Sequence, residues 1–146
     1  MVRALALAFL VTLLPVPALA NPAVSAVVDP YLRIQETLAG DKTTGVRDQA
    51  SAIVTAAGKL GKPAEAIVAA ARQLQVASGL EPTRDAFFAL SSALFKYADA
   101  TKTPLGPEVR RAYCPMEKKS WAQKDGQIAN PYAGRYEPDL LPFMAE

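Results

Sequence analysis

GKPAEAIVAAARQLQVASGLEPTRDAFFALSSALF, residues 61–95, is the stretch that decides the fold. Ile67, Val68, Ala71 and Leu74 recur at helical spacing, and Phe87, Phe88, Leu90, Leu94 and Phe95 do so again, continuing to Ala98. Pro63 and Pro82 stand just inside the two patterns, while Gly61 and Gly79 stand just past the ends of the segments before them. Proline at a helix start and glycine beyond a helix end is the asymmetry helices prefer. The stretch therefore predicts two helices, about 63–78 and 82–102. The first is alanine-rich, which permits close backbone approach, and the second supplies aromatic bulk.

Upstream the pattern repeats twice. Val46, Ala50, Ile53, Val54, Ala57 and Leu60 mark a helix over about 44–60. Val24, Val27, Val28, Tyr31, Leu32, Gln35 and Leu38 mark another over about 24–39, ended by Gly40. Asp29-Pro30 offers a second place for that helix to begin, with aspartate as cap and proline as first helical residue. Short connections favour antiparallel neighbours, so the expectation is an all-α, up-down four-helix bundle. From residue 103 onward alanine thins, and Tyr113, Trp121, Tyr132, Tyr136 and Phe143 appear with Pro115, Pro131, Pro138 and Pro142. That composition is too proline-rich for a long helix and too aromatic for disorder. It predicts an extended segment, 103–146, wrapped on the bundle.

The N-terminus reads as an export signal. Met1-Val2-Arg3 is a short basic start, Ala4–Leu14 is apolar, and Ala18-Leu19-Ala20 supplies small residues for cleavage before Asn21. A membrane span needs roughly 20 apolar residues, more than this run holds. The expectation is a signal peptide over 1–20, then one domain over 21–146 in the periplasm or secreted, with no membrane insertion after cleavage. Losing Arg3 takes the formal charge from +2 to +1, which gives no argument for nucleic acid or an anionic membrane.

The chain has no histidine and one cysteine, Cys114. Histidine-dependent triads, histidine-ligated metals and imidazole acid–base catalysis are excluded. An intramolecular disulfide is excluded too. Without a histidine to activate it, Cys114 makes a poor nucleophile, and no enzyme is expected. Cys114-Pro115-Met116 has other chemistry: thiolate and thioether are soft donors, suited to copper(I) or silver(I). The same residues also suit a buried core position, where cysteine behaves as a small hydrophobe and methionine fills gaps.

Cys114-Pro115-Met116, Trp121, Gln123, Ile128 and Asn130-Pro131-Tyr132-Ala133-Gly134 together resemble the C-terminal signature of domain-of-unknown-function family 3347. Tyr31-Leu32-Arg33-Ile34-Gln35, Leu38-Ala39 and Asp41 are similar to that family's opening helix, and Arg84-Asp85-Ala86-Phe87, Leu90-Ser91 and Leu94 to its last. Members stand alone behind signal peptides or are fused to periplasmic adaptor subunits of copper/silver efflux pumps. The resemblance implies a periplasmic helical bundle linked to heavy-metal efflux or resistance, with such an adaptor or another envelope metal-export protein as partner. One departure matters: where the family commonly continues with methionine and a Cys-Gly pair, this chain has Arg135-Tyr136-Glu137-Pro138-Asp139. Cys114, Met116 and Met144 are the candidate metal ligands. The alternative is a metal-free interaction module docking through its aromatic segment, with Trp121 and Tyr132 as candidate anchors.

Overall fold

A computed structural model describes residues 21–133. The signal-peptide reading of 1–20 and the candidate ligand Met144 lie outside the described residues.

Helix α1 spans Pro22–Ala39, with Asn21 as cap: its side-chain oxygen accepts from the Ala23 N–H at 3.0 Å, and Pro22 takes the first helical position. Asp29-Pro30 is not a start. The helix runs through Pro30, which is buried, while the Ala26 carbonyl that loses its amide partner belongs to an exposed residue within reach of water. The stop falls as expected, after Ala39 with Gly40 as the capping residue, but the left-handed turn comes one position later. Gly40 keeps a negative φ and Asp41 takes the left-handed conformation at φ 57°, with the Asp41 and Lys42 amides donating to Leu38 and Thr37 carbonyls.

Helix α2 spans Val46–Gly58 after a left-handed Gly45, and α3 spans Glu65–Val76 after a 3₁₀ turn at Lys62–Ala64. Helix α4 spans Leu80–Thr101, and Lys102 ends it in the left-handed region. Each helix packs on the next in the chain. Ala50, Ile53 and Ala57 of α2 and Ile67, Ala71 and Leu74 of α3 are fully or almost fully buried. Among the described residues no helix is long and apolar enough to cross a membrane.

The all-α expectation is wrong in the last third. Residues expected to wrap as an extended segment form an antiparallel hairpin, β1 (Val109–Cys114) and β2 (Lys119–Lys124). The register pairs Val109 with Lys124, Ala112 with Trp121 and Cys114 with Lys119. The hairpin changes the bundle as well: β2 lies against both α1 and α4, so the first and last helices share a strand between them. A two-stranded hairpin is marginal alone. Here Trp121 is fully buried in the common core, and the Ala122 N–H donates to the Tyr31 hydroxyl at 3.0 Å. The strands hid because Arg110 and Lys119 interrupt the inward face carried by Ala112, Cys114 and Trp121, and the four-residue turn lacks the usual Asn-Gly signal. Lys118 supplies the left-handed residue instead, at φ 52°.

Candidate functional site

The hairpin end carries Cys114 and Met116, and the structure places them in contrasting surroundings. Along β1, Ala112 and Cys114 face the core while Tyr113 faces out. Cys114 is a free thiol, 4 % exposed. Two positions later the chain is in the turn, and Met116 stands 63 % exposed. The hairpin therefore brings both sulfurs of the described chain to one end of one element, one side chain inside and one outside. Among the described residues no three acidic, cysteine or histidine side chains gather as a metal cluster.

The two candidate aromatic anchors are core residues. Trp121 is fully buried and Tyr132 is 5 % exposed, their rings meeting edge to face with centroids 6.0 Å apart. Neither presents a face to solvent. Tyr132 also meets Phe87 and Phe88, and Phe87 stacks on Tyr31 at 4.8 Å. Lys119 holds its ammonium 5.2 Å from the Tyr132 ring centre and 3.1 Å from an Asp85 oxygen, joining the hairpin to α4. Arg111 does the same further along, with its guanidinium carbon 4.0 Å from the centre of the Phe95 ring and Asp99 at 3.2 Å.

Around these rings runs a buried polar network. Tyr31 donates to Ser91 Oγ at 2.7 Å, and Ser91 donates onward to the Phe87 carbonyl. Tyr132 donates to the Ser120 carbonyl at 3.1 Å. Burial pushes both phenols above their ordinary value, and for Tyr132 the neighbouring Tyr31 adds to the rise. They are protonated donors throughout the neutral range.

Three further side chains tie the last described residues down. The Gln123 side-chain oxygen accepts from Trp121 Nε1 at 3.0 Å and from the Ala129 N–H at 3.2 Å, while its amide donates to Gln127. Gln35 donates to the Ala129 carbonyl. Arg84, 6 % exposed, donates to the Pro131 carbonyl at 2.8 Å and pairs with Asp41 at 2.6 Å and Glu81 at 2.7 Å. Its remaining reach is to the Leu38 carbonyl, so one guanidinium fixes the left-handed end of α1 and the turn at 131–133 together. Asn130 makes that turn locally, its side chain accepting from the Tyr132 N–H. Sequence reasoning gave Gln35 no role beyond its place in an apolar stripe. A lone amide in such a stripe is the signal that a buried partner exists.

No protein-family model matches this chain, and neither a curated protein nor a solved structure matches it.

Proposed function

We propose that this is an exported, non-enzymatic periplasmic domain that handles a soft monovalent metal, copper(I) or silver(I), at the hairpin end, in the service of heavy-metal efflux. The observation that carries this reading is the placement of Cys114 and Met116 on either side of one strand-to-turn junction. Their donor chemistry selects soft ions over zinc, calcium or magnesium. The thiol makes no competing hydrogen bond among the described residues, and the thioether is already in solvent. Support for the export and efflux part comes from the signal-like N-terminus and the motif likeness to domain-of-unknown-function family 3347. Met144 is the candidate third sulfur.

Burial of Trp121 and Tyr132 weakens the docking alternative in the form that uses them as anchors, because a partner would first have to open the core to reach them. The test is a copper(I) competition titration against a chromophoric chelator under anaerobic, reducing conditions. The expected result is tight one-to-one binding, lost in Cys114→Ser and weakened at least tenfold in Met116→Leu, with both variants keeping the wild-type circular dichroism. Equal binding by wild type and Cys114→Ser would overturn the reading.

A further inference from the structure

Among the described residues, hairpin β1–β2 has an open edge. In an antiparallel pair, successive residues alternate between those that exchange backbone hydrogen bonds and those whose N–H and C=O point away from the partner strand. Ala122 turns its N–H away from β1, toward Tyr31, which makes Arg111–Ala122 a pair of the second kind. Asp125 donating to the Glu108 carbonyl sets the same alternation from the other end of the ladder. Arg111 and Tyr113 therefore direct their backbone groups outward. Nothing among the described residues pairs with them: β2 occupies the inner side, and no helix packs closely on the β1 backbone. Natural proteins rarely leave such an edge without a device or a use.

The surroundings of this edge say what it takes. A hollow of about 500 Å³ lies where β1 leaves α4, lined by Phe95, Asp99, Leu105, Val109 and Arg111. A second, of about 240 Å³, is lined by Ala112, Gln123, Lys124, Asp125 and Ile128. Arg110 and Arg111 line both. Alternate side chains of a strand beside β1 would meet these two hollows in turn, which is how strand addition obtains specificity while the ladder supplies affinity. Residues 109–124 hold five cations, Arg110, Arg111, Lys118, Lys119 and Lys124, against one carboxylate, Glu117. Among the described residues Lys118 and Lys124 have no ion pair, and Lys119 pairs with Asp85. The pairs made by Arg110 and Arg111, to Asp125 and Asp99, are solvent-exposed and weak enough to be exchanged for an incoming carboxylate. Tyr113, 38 % exposed, and Met116 add apolar contact at the far end.

We infer that the β1 edge is a docking site for an extended, acidic strand of another protein. A second copy of this chain fits less well, since two β1 edges side by side would gather four arginines in one sheet. The chain's own residues 134–146 carry Glu137, Asp139 and Glu146, but Pro138 and Pro142 remove two ladder donors within five positions.

The test uses a capped eight-residue peptide alternating glutamate and valine, followed by amide exchange and fluorescence anisotropy on the full protein. Binding should be saturable and slow exchange at Arg111 and Tyr113. It should fall at least tenfold when the peptide's alternate amides are N-methylated or lysine replaces glutamate, and several-fold in exposed Arg110→Ser. Equal binding by the N-methylated peptide would overturn the inference, because charge alone would then explain it. Slow exchange of Arg111 and Tyr113 in the protein by itself would also overturn it, showing the edge already filled by a second copy or by residues 134–146.

Discussion

The layer between α2 and α3 and the seam between α1, α4 and the hairpin are built on opposite principles. The first is dry: Ala50, Ile53, Ala57, Ile67, Ala71 and Leu74 interlock, and the polar contact there, Gln75 to Ser51, sits at its rim. The second mixes Trp121, Tyr31, Phe87 and Tyr132 with Ser91, Gln35, Gln123 and Arg84, each polar group satisfied by a named partner. Alanine and branched aliphatics pack by shape and tolerate small errors. A hydrogen-bonded seam has fewer acceptable arrangements, because each lost partner strands a buried donor or acceptor. The helical layer thus supplies bulk stability, and the seam decides where the hairpin and residues 129–133 go.

The largest break should come from Trp121→Ala. It removes a fully buried indole at the point where β2 meets both outer helices, and leaves Gln123 without one of its donors. Large-to-small core changes of this kind cost about 3–5 kcal/mol. Denaturant unfolding followed by far-ultraviolet circular dichroism should show the midpoint fall with one transition, since α1 and α4 also pack on the inner helices. If the hairpin were lost while the helical signal kept its midpoint, the seam would be an appendage and the comparison would fail.

The same contrast explains what the sequence revealed. Four helices were legible because their apolar residues repeat at 3.6 and their ends carry glycine and proline. The strands were not, because Arg110 and Lys119 share the face of Ala112, Cys114 and Trp121, where an alternating pattern expects apolar residues, Arg111 adds a third charge beside them, and each strand has only six residues. Two of those cations lie over aromatic rings of α4 and the neighbouring seam, an arrangement that exists only after folding. At the candidate site, Cys114-Pro115-Met116 was visible as a soft-donor motif, but the burial of one sulfur and exposure of the other follow from the hairpin. Trp121 and Tyr132 were legible as aromatic anchors. An aromatic segment laid on a bundle can be pinned inward by such rings or can dock a partner through them, and the fold buries both.

A subtler probe of the seam is Tyr31→Phe, which keeps the stacked ring and deletes the hydroxyl that accepts from Ala122 and donates to Ser91. Leaving the buried Ala122 N–H without its partner costs about 1–3 kcal/mol. The cost should depend on pH. Burial raises the folded phenol above its ordinary value near 10, so the wild type holds this stability in full below pH 10 and loses it as pH rises and the unfolded chain ionises first. The phenylalanine variant has no such group. Urea midpoints of the two proteins should therefore converge above pH 10, and a constant gap through that range would contradict the buried-donor assignment.

The smallest expected effect lies in the dry layer, and it sharpens the comparison most cleanly. Ile67→Val removes one buried methylene from α3, touches no hydrogen bond and should cost about 1 kcal/mol at every pH. Combined with Tyr31→Phe, it should add: Ile67 sits in α3, which packs on α2 and α4 rather than on the hairpin, and sites without shared partners couple weakly. Additivity within about 0.5 kcal/mol would establish two mechanically separate parts of one core. A coupling well above that would mean the aliphatic layer transmits strain into the polar seam, and the helices would then be setting the hydrogen-bond geometry rather than only carrying it.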